Sequence, residues 1–482
     1  MIVKLCHKLT NGEKSYMTFK VKINKKILII YVIMGGCVLS CLILPGMLTA
    51  GIAIVVACYI AVIEKNTTKL KKSQTNSLIL CIPVLLAAFQ NVYLAIGISH
   101  QTALSLQIML SLHFFLVLIV DLMNAQILFS KVSKIVWLIV IVIIQGTILY
   151  LAYPAPITSL ISAGRNVLSC LVIYAYSCII GENSDEKTYY KILNAVALIV
   201  VMFGLFEYIG GINIWRNLGI TQLWNLKGIT TNVAGVPMNW FSSETIGGQQ
   251  IRRMVSSFAD PVNLGTYLFA AFMISWYTGN NVLTVLLSVC CILTISKGAL
   301  LGFLVFVVMY VWFKDKSKIG VPIIFFLCTL FALRFVEYSM TKSTGSMMAH
   351  IGGFISSLKL LITNPAGLGI GNVGVLSGLF STSLSNTDVI ETGIGVIIAQ
   401  LGWVGLLCYI SFFLYLFYEP RKWKLVDMKA SVMYYTLLFA FILNALFNEV
   451  ALSPNSCALY FIELAYLNIK MKYPQKREAI TK

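Results

Sequence analysis

The chain has 482 residues, of which 59% are hydrophobic and only 11% charged, and its mean hydropathy is +0.86. Because a soluble domain is about 45–50% apolar, this composition excludes a soluble globular protein and predicts an all-α polytopic membrane helix bundle. The formal net charge of +18 would indicate nucleic acid in a soluble protein, but here we expect it to face anionic lipid headgroups.

Apolar runs near the length of about 20 residues that crosses about 30 Å of hydrocarbon recur along the whole chain. We predict twelve to fourteen transmembrane helices. The ninth and tenth runs are short enough to form one bent unit or a re-entrant pair. The predicted spans lie at residues 27–44, 47–63, 78–97, 106–129, 135–152, 157–180, 192–212, 262–279, 282–296, 298–313, 319–336, 389–417, 430–448 and 454–469.

Two connections between the predicted spans are long, and long structured connections usually carry function. The division that follows is a basic N-terminal segment (1–26), spans 1–7 (27–212), the first long loop (213–261), spans 8–11 (262–336), the second long loop (337–388), spans 12–14 (389–469) and a C-terminal tail (470–482).

The basic residues are distributed unevenly between the two sides of the membrane. With a cytoplasmic N-terminus, most of the 36 Lys and Arg residues fall in segments predicted to be inside, as the positive-inside rule requires. We therefore expect both termini in the cytoplasm and both long loops on the outer side. The opening residues are basic but polar and are followed by no small-residue cleavage site, so we expect no removable signal peptide.

The first long loop ends in "RRMVSSFADPVNLGTYL" (252–268). Arg252 and Arg253 oppose the positive-inside bias, and their planar forks suit phosphate oxygens, so a diphosphate at membrane level is a candidate ligand. The alternative is that they are ordinary loop arginines paired with Asp260 or with headgroups. Asp260 and Pro261 predict a turn followed by a helix that begins with negative charge near its N-terminus.

The second long loop contains "GSMMAHIGGFISSLKLLITNPAGLGIGNVG" (345–374). Apolar residues at helical spacing from His350 onward predict a short amphipathic helix at the outer surface, ended by Asn364-Pro365. The glycine-rich "NPAGLGIGN" (364–372) is either a phosphate cradle of backbone amides or a tight turn. His350 is a candidate general base, with a purely structural role as the alternative.

Charged residues also lie inside the predicted spans. Arg165 and Glu207 sit in the outer third of their spans, and because an unpaired charge there costs several kcal/mol, we predict either a mutual ion pair or a place in the lining of a substrate cavity. Asp121 and Glu463 lie nearer the inner half and are not assigned to the site. The cysteines lack CxxC spacing and the four histidines are scattered, so we expect neither disulfides nor a metal site.

Taken in order, these segments resemble the bacterial O-antigen polymerase and O-antigen ligase superfamily, which includes the Wzy-like polysaccharide polymerases. In that family an outer loop ends in Arg and then Ser-Phe-x-(Asp/Asn)-Pro, as in residues 252–268 here. A step like "SRGA" follows, here "SKGA" (296–299), then "P-x-G-x-G-x-G", here within 364–372, and then a span with an acidic start, here "DVIETGIGVIIAQLGWVGLL" (388–407). The resemblance covers roughly residues 200 to 415.

The resemblance implies an enzyme that accepts glycans on undecaprenyl diphosphate at the outer face of the bacterial cytoplasmic (inner) membrane. In a polymerase, the growing chain leaves its lipid diphosphate and joins a sugar of another lipid-linked repeat unit. Arg253, together with Arg252, would hold the diphosphate and stabilise the leaving group, and His350 would orient or deprotonate the acceptor hydroxyl. Related proteins often have an arginine where this chain has "SMMAHIGG", so Lys359 or Arg334 is expected to supply that charge instead.

The resemblance also sets the expected partners. The donor is already activated by its lipid diphosphate, so no cofactor, nucleotide or metal is expected. The partners are an undecaprenyl diphosphate-linked oligosaccharide and membrane lipids, with a flippase and a chain-length regulator as further candidates and no nucleic acid. A ligase of the same superfamily and a lipid-linked oligosaccharide flippase or transporter remain as alternatives. The candidate substrate-binding residues are Arg252, Arg216, Asp260, Lys359, Arg165 and Glu207.

Overall fold

The computed structural model describes residues 69–246, 249–314, 344–375, 390–423 and 427–472, with isolated positions between 46 and 55 and between 320 and 337. The predicted spans at 27–44, 47–63 and 319–336 therefore lie largely outside the described residues. The same holds for the basic segment 1–26 and for most of the tail.

The described residues form α-helices, several short 3-10 helices and a single two-stranded hairpin. Numbered in chain order, the helices are α1 (Lys69–Ile96), α2 (Ala103–Leu110), α3 (Leu112–Met123), α4 (Ala125–Ala152), α5 (Ile157–Ile180), α6 (Glu186–Gly210), α7 (Asn213–Asn217), α8 (Ile220–Leu226), α9 (Pro261–Tyr277), α10 (Asn281–Leu293), α11 (Lys297–Lys314), α12 (Thr344–Thr363), α13 (Gly393–Tyr418), α14 (Met428–Phe447) and α15 (Pro454–Lys472). The strands are β1 (Phe241–Ile246) and β2 (Gln249–Arg252).

The all-α polytopic membrane bundle predicted from composition is confirmed. Within the described ranges, seven helices are long and apolar enough to cross a membrane, namely α1, α4, α5, α6, α11, α13 and α14. The pair α2 and α3 would make an eighth span, but it bends by 55° at Ser111 inside the predicted span 106–129. The Ser111 hydroxyl donates to the Gln107 carbonyl at 2.8 Å, a local bond that is often associated with helix bending.

Contacts between the ends of the described helices define two faces of the bundle, as expected where short connections make consecutive helices antiparallel neighbours. We call the face that holds both long loops the loop face, and the opposite one the basic face. At the loop face the Ser453 hydroxyl donates to Asn263 Oδ1 at 2.8 Å. At the basic face Lys470 Nζ donates to the Ser184 carbonyl at 3.1 Å and the Asp185 amide to the Ser73 carbonyl at 3.2 Å. The loop face corresponds to the side predicted to be outer.

The start of α9 follows the sequence prediction. Asp260 is the N-cap residue, and its Oδ1 accepts hydrogen bonds from the amides of Val262 and Asn263 at 2.9 and 2.8 Å. Pro261 occupies the first helical position, where its missing N–H leaves no bond unmade. Nearly the whole of α9 is buried, so this cap fixes the junction between the first long loop and the interior of the bundle.

The first long loop has a small core of its own. Trp215 on α7 and Trp240 before β1 are fully buried, and their rings meet edge to face at 6.2 Å. The indole N–H of Trp240 donates to the Ala259 carbonyl at 3.0 Å. These contacts fasten the loop to the start of α9 and make it a structured cover over this end of the bundle.

The second long loop contains α12, which ends at Thr363, immediately before Asn364-Pro365 as predicted. The glycine-rich segment that follows docks on a break in α13 at Gly402, which has φ +61°. The amides of Leu368 and Gly369 donate to the Ala399 and Gln400 carbonyls at 2.9 and 3.0 Å. Two of the amides that a phosphate cradle would use therefore hold the loop against α13, which favours the turn interpretation.

Candidate functional site

Arg252 forms a buried ion pair with Glu207. Arg252 Nη2 lies 2.5 Å from Glu207 Oε1, with Glu207 fully buried and the arginine side chain 18% exposed. The other carboxylate oxygen, Oε2, accepts from the amides of Ser256 and Val255 at 3.0 and 3.4 Å. Glu207 therefore pairs with Arg252 rather than with Arg165, because the loop folds back over the end of α6 and brings its own cation.

Arg253 is held by backbone carbonyls. Its Nε donates to Thr294 at 2.7 Å, its Nη2 to Ile295 at 3.2 Å and its Nη1 to Asn239 at 3.0 Å. Burial lowers the pKa of Arg253, and the Asp260 carboxylate opposes that effect. The guanidinium thus ties the first loop to the turn between α10 and α11, which carries the "SKGA" motif. One N–H on each terminal nitrogen is left for a ligand, because each of these nitrogens has two hydrogens.

Asp260 is committed to local structure. Besides capping α9, its Oδ2 accepts from Asn239 Nδ2 at 2.8 Å, and it is 7% exposed. Asp260 pairs directly with neither arginine among the contacts found, although its charge acts on Arg253. Its place is beside the site, where it fixes the backbone around Arg253.

His350, on α12, faces an acid from the start of α13. Its Nδ1 lies 3.3 Å from Glu391 Oε2, an ion-pair contact without hydrogen-bond alignment, and the two side chains are 29% and 34% exposed. Burial lowers the pKa of His350, Glu391 raises it, and Lys297 lowers it. Lys297 of the "SKGA" motif is therefore within electrostatic reach of His350 and joins the two long loops in one place.

Two further cations lie deep at the same end. Arg165 on α5 and Lys227 after α8 are each 9% exposed. Lys227 Nζ donates to Asn91 Oδ1 at 2.8 Å, whereas the one hydrogen bond that the Arg165 guanidinium makes within the described residues goes from Nε to the neighbouring Asn166 at 3.3 Å. Burial, with Arg165 acting in the same direction and Asp260 against it, lowers the pKa of Lys227 to about 7.

The remaining sequence candidates lie away from this cluster. Arg216 is exposed and reaches Asn213 Oδ1 at 3.4 Å. Lys359 is exposed on the side of α12 opposite to buried Ser357, and Arg334 pairs with Glu337. Lys359 and Arg334 therefore supply no charge beside His350 among the described contacts. The positive charge that acts on His350 is that of Lys297.

Glu463 and Asp121 also lie elsewhere. Glu463 accepts hydrogen bonds from the hydroxyls of Tyr189 and Tyr190 at 2.7 and 2.9 Å, in the first turn of α6 at the basic face. Asp121 lies near the end of α3, on the same side. In the part of the chain that the structure describes, no group of three or more His, Cys, Asp or Glu residues could hold a metal ion, and the cysteines described there are unpaired.

Sequence reasoning missed three residues of this end of the bundle. Glu391 was visible as the acidic start of a span, and Lys297 as part of "SKGA", but neither motif indicates a contact with His350. Lys227 carried no signal, because a lysine in a polar loop gives no sign of burial. No protein-family model matches the chain, and a comparison with curated proteins finds no match either.

Proposed function

We propose that the protein is a polysaccharide polymerase, for O-antigen, capsule or exopolysaccharide, that transfers a growing glycan from undecaprenyl diphosphate to a lipid-linked repeat unit at the outer face of the bacterial cytoplasmic membrane. One observation carries the proposal. The segments that resemble the polymerase family are far apart in the chain, yet they meet at the loop face. Arg253 binds the backbone of the "SKGA" turn, Lys297 of that turn acts on His350, and His350 faces Glu391.

His350 and Glu391 activate the acceptor hydroxyl. Neutral His350 takes the proton from the acceptor hydroxyl as its oxygen bonds to the anomeric carbon of the donor sugar. Glu391, whose Oε2 lies 3.3 Å from Nδ1, stabilises the imidazolium that forms by its negative charge. Burial and Lys297 lower the pKa of His350 and so keep the base neutral at physiological pH.

Arg253 and Lys297 stabilise the diphosphate that leaves the donor. As the new glycosidic bond forms, the bond between the anomeric carbon and the diphosphate oxygen breaks, and the diphosphate leaves with the electron pair. Three carbonyls fix the Arg253 guanidinium in place before any ligand binds, so its remaining N–H groups need little reorganisation to meet the leaving oxygens. Lys297 adds a second positive charge, and no cofactor takes part in this scheme.

The test is an assay of purified protein in lipid with one undecaprenyl diphosphate-linked repeat unit as the substrate. We expect a ladder of longer lipid-linked chains, which Arg253→Ala and His350→Ala abolish. His100→Ala is the matched control, because His100 is exposed in the turn after α1 at the same face and contacts none of these residues. Movement of unextended substrate across the bilayer would indicate a flippase, and transfer to a different acceptor would indicate a ligase; either result contradicts the proposal.

Membrane orientation is tested separately with an impermeant thiol reagent on intact cells, against the background of the native cysteines. Val233→Cys and Lys359→Cys lie on exposed sites of the two long loops, and Lys187→Cys on the basic face. We expect labelling of the first two in intact cells and of the third only after permeabilisation. The reverse pattern would place the loops in the cytoplasm and exclude the proposed chemistry.

A further inference from the structure

Arg165 and Lys227 are buried basic side chains, and burial together with the charge of Arg165 lowers the pKa of Lys227 to about 7. Among the residues that the structure describes, neither makes an ion pair, although both are nine-tenths or more buried. Arginine cannot shed its proton in a protein, so the charge of Arg165 persists in a region of low dielectric constant. A buried charge that lacks a counterion is strongly unfavourable.

The surroundings of Lys227 supply donors but little negative charge. Its ammonium lies 4.4 Å from the centre of the Trp224 ring and bonds to Asn91. Asn91 in turn donates to the Phe258 carbonyl at 2.5 Å, so α1 and the "SSF" segment meet at this point. Among the residues that the structure describes, the indole N–H of buried Trp224 and the hydroxyl of fully buried Ser257 have no hydrogen-bond partner.

Arg165 approaches the same region from α5. Its two terminal nitrogens donate to no described residue, since its one hydrogen bond goes from Nε to Asn166. The guanidinium repels the Lys227 ammonium and lowers its pKa, and Asp260 is the acid whose charge opposes this effect. Asp260 makes no ion pair with Arg165 or Lys227 among the described residues, and its oxygens accept from the amides that begin α9 and from Asn239.

We propose that Arg165 and Lys227, with the unpartnered donors of Trp224 and Ser257, form a buried site for a diphosphate whose residues differ from those of the Arg253 and His350 site. Two cations match a multiply charged oxyanion, and an arginine fork grips phosphate oxygens in pairs. Polymerisation brings together two substrates that each carry a diphosphate, so it needs two such sites. The identity of the ligand as the second lipid-linked substrate rests on the proposed function.

The first experiment uses the unmodified full chain in neutral detergent micelles. Lys227 is acetylated with a small amine-reactive ester and the modified fraction is measured by mass spectrometry, with and without inorganic pyrophosphate. We expect pyrophosphate and farnesyl diphosphate to protect Lys227, and farnesol and phosphatidylglycerol to leave it reactive. Exposed Lys187 at the basic face is the internal control. Unchanged labelling of Lys227 with pyrophosphate, or equal protection by phosphatidylglycerol, would overturn the diphosphate assignment.

The second experiment replaces the cations with an apolar side chain of similar length. In Arg165→Met and Lys227→Met we expect pyrophosphate to bind roughly 10- to 100-fold more weakly, while the melting temperature without ligand is unchanged or higher, because an uncompensated buried charge has been removed. Lys187→Met is the matched control. A lower melting temperature combined with wild-type affinity for pyrophosphate would show that the two cations serve the fold alone.

The two proposals fail separately. If pyrophosphate protects Lys227 but no glycan ladder forms, the diphosphate site is supported and the polymerase proposal is contradicted. If the ladder forms but neither substitution weakens binding of pyrophosphate, the polymerase proposal is supported and the diphosphate site is contradicted.

Discussion

Removal of the charge of Glu207 tests how the first long loop is fastened to the bundle. In Glu207→Gln the side chain keeps its shape, but Arg252 loses its counterion. The amides of Ser256 and Val255 then face a carboxamide in place of a carboxylate. All these contacts lie directly before and after Arg253 in the chain, so we expect both stability and transfer activity to fall.

The expected loss follows from burial. Glu207 is fully buried and Arg252 is 18% exposed, and removal of one partner from a buried ion pair costs about 3–5 kcal/mol. The residual exposure of Arg252 places the loss for Glu207→Gln at the lower end, about 3 kcal/mol. Arg252→Met leaves Glu207 with its two backbone donors, so this change should cost less, about 2 kcal/mol.

The assay is a double-mutant cycle, read from denaturant unfolding in micelles, on Glu207→Gln, Arg252→Met and the double variant. We expect a coupling energy of about 1.5–3 kcal/mol. The matched control is the pair of Arg334 and Glu337, which are 2.8 Å apart but 81% and 63% exposed. Solvent screens that pair, so its coupling should stay below about 1 kcal/mol.

Two results would refute this reasoning. One is a Glu207→Gln protein that unfolds at the wild-type denaturant concentration. The other is a coupling energy between Glu207 and Arg252 no larger than that of the exposed pair. Either would show that the backbone contacts of the loop, rather than its buried charges, determine how it is held.

Three further predictions concern the loop face. Arg253→Lys keeps the charge but loses the planar fork, and we expect kcat to fall roughly 100-fold in the ladder assay. The acid limb of the kcat/KM profile should follow the pKa of His350 as it becomes the neutral base, so Lys297→Gln should move that limb to higher pH and Glu391→Gln to lower pH. Gly402→Ala puts a side chain at φ +61° against the docked glycine-rich segment and should reduce the free energy of unfolding by about 2 kcal/mol or more, measured by denaturant unfolding.

Each of these three predictions has a control or an outcome that would contradict it. Full activity of Arg253→Lys would exclude a role for the fork. Shifts of the acid limb in the same direction for Lys297→Gln and Glu391→Gln would mean that another group sets it. Gly352→Ala lies on α12 with open space around the added carbon, so it should be neutral or slightly stabilising; an equal loss in both glycine variants would argue against a special place for Gly402.

Much of the fold could be predicted because its signals are local. Hydropathy over about 20 residues locates helices that must satisfy their backbone within the membrane, and α5, α13 and α14 lie within the predicted runs or close to their bounds. The starts of α4 and α6 were predicted too late: α4 begins at Ala125, inside the predicted span 106–129, and α6 at Glu186 rather than at 192. The Asp260 cap and the end of α12 before Asn364 depend on neighbouring residues alone, and both were predicted. The break at Ser111 was not, because nothing in the apolar run of 106–129 distinguishes a bent pair from one straight helix.

The partners of the charged side chains could not be predicted in the same way. The positions of Arg165 and Glu207 within their predicted spans put both at a similar depth in the membrane, so a mutual ion pair was possible, but Glu207 pairs with Arg252. Arg253 donates three hydrogen bonds to backbone carbonyls. These outcomes depend on how the loop folds back over the helix ends.

The sequence alone thus determined that this is a helical membrane protein and where most of its described helices run, because hydrophobic length and local capping act over a few turns of chain. Only the tertiary structure decided which charges meet. It placed His350 beside Glu391 and buried Lys227 near Arg165, because these pairings join segments far apart in the chain, and the energy of a buried charge depends on every element that packs around it.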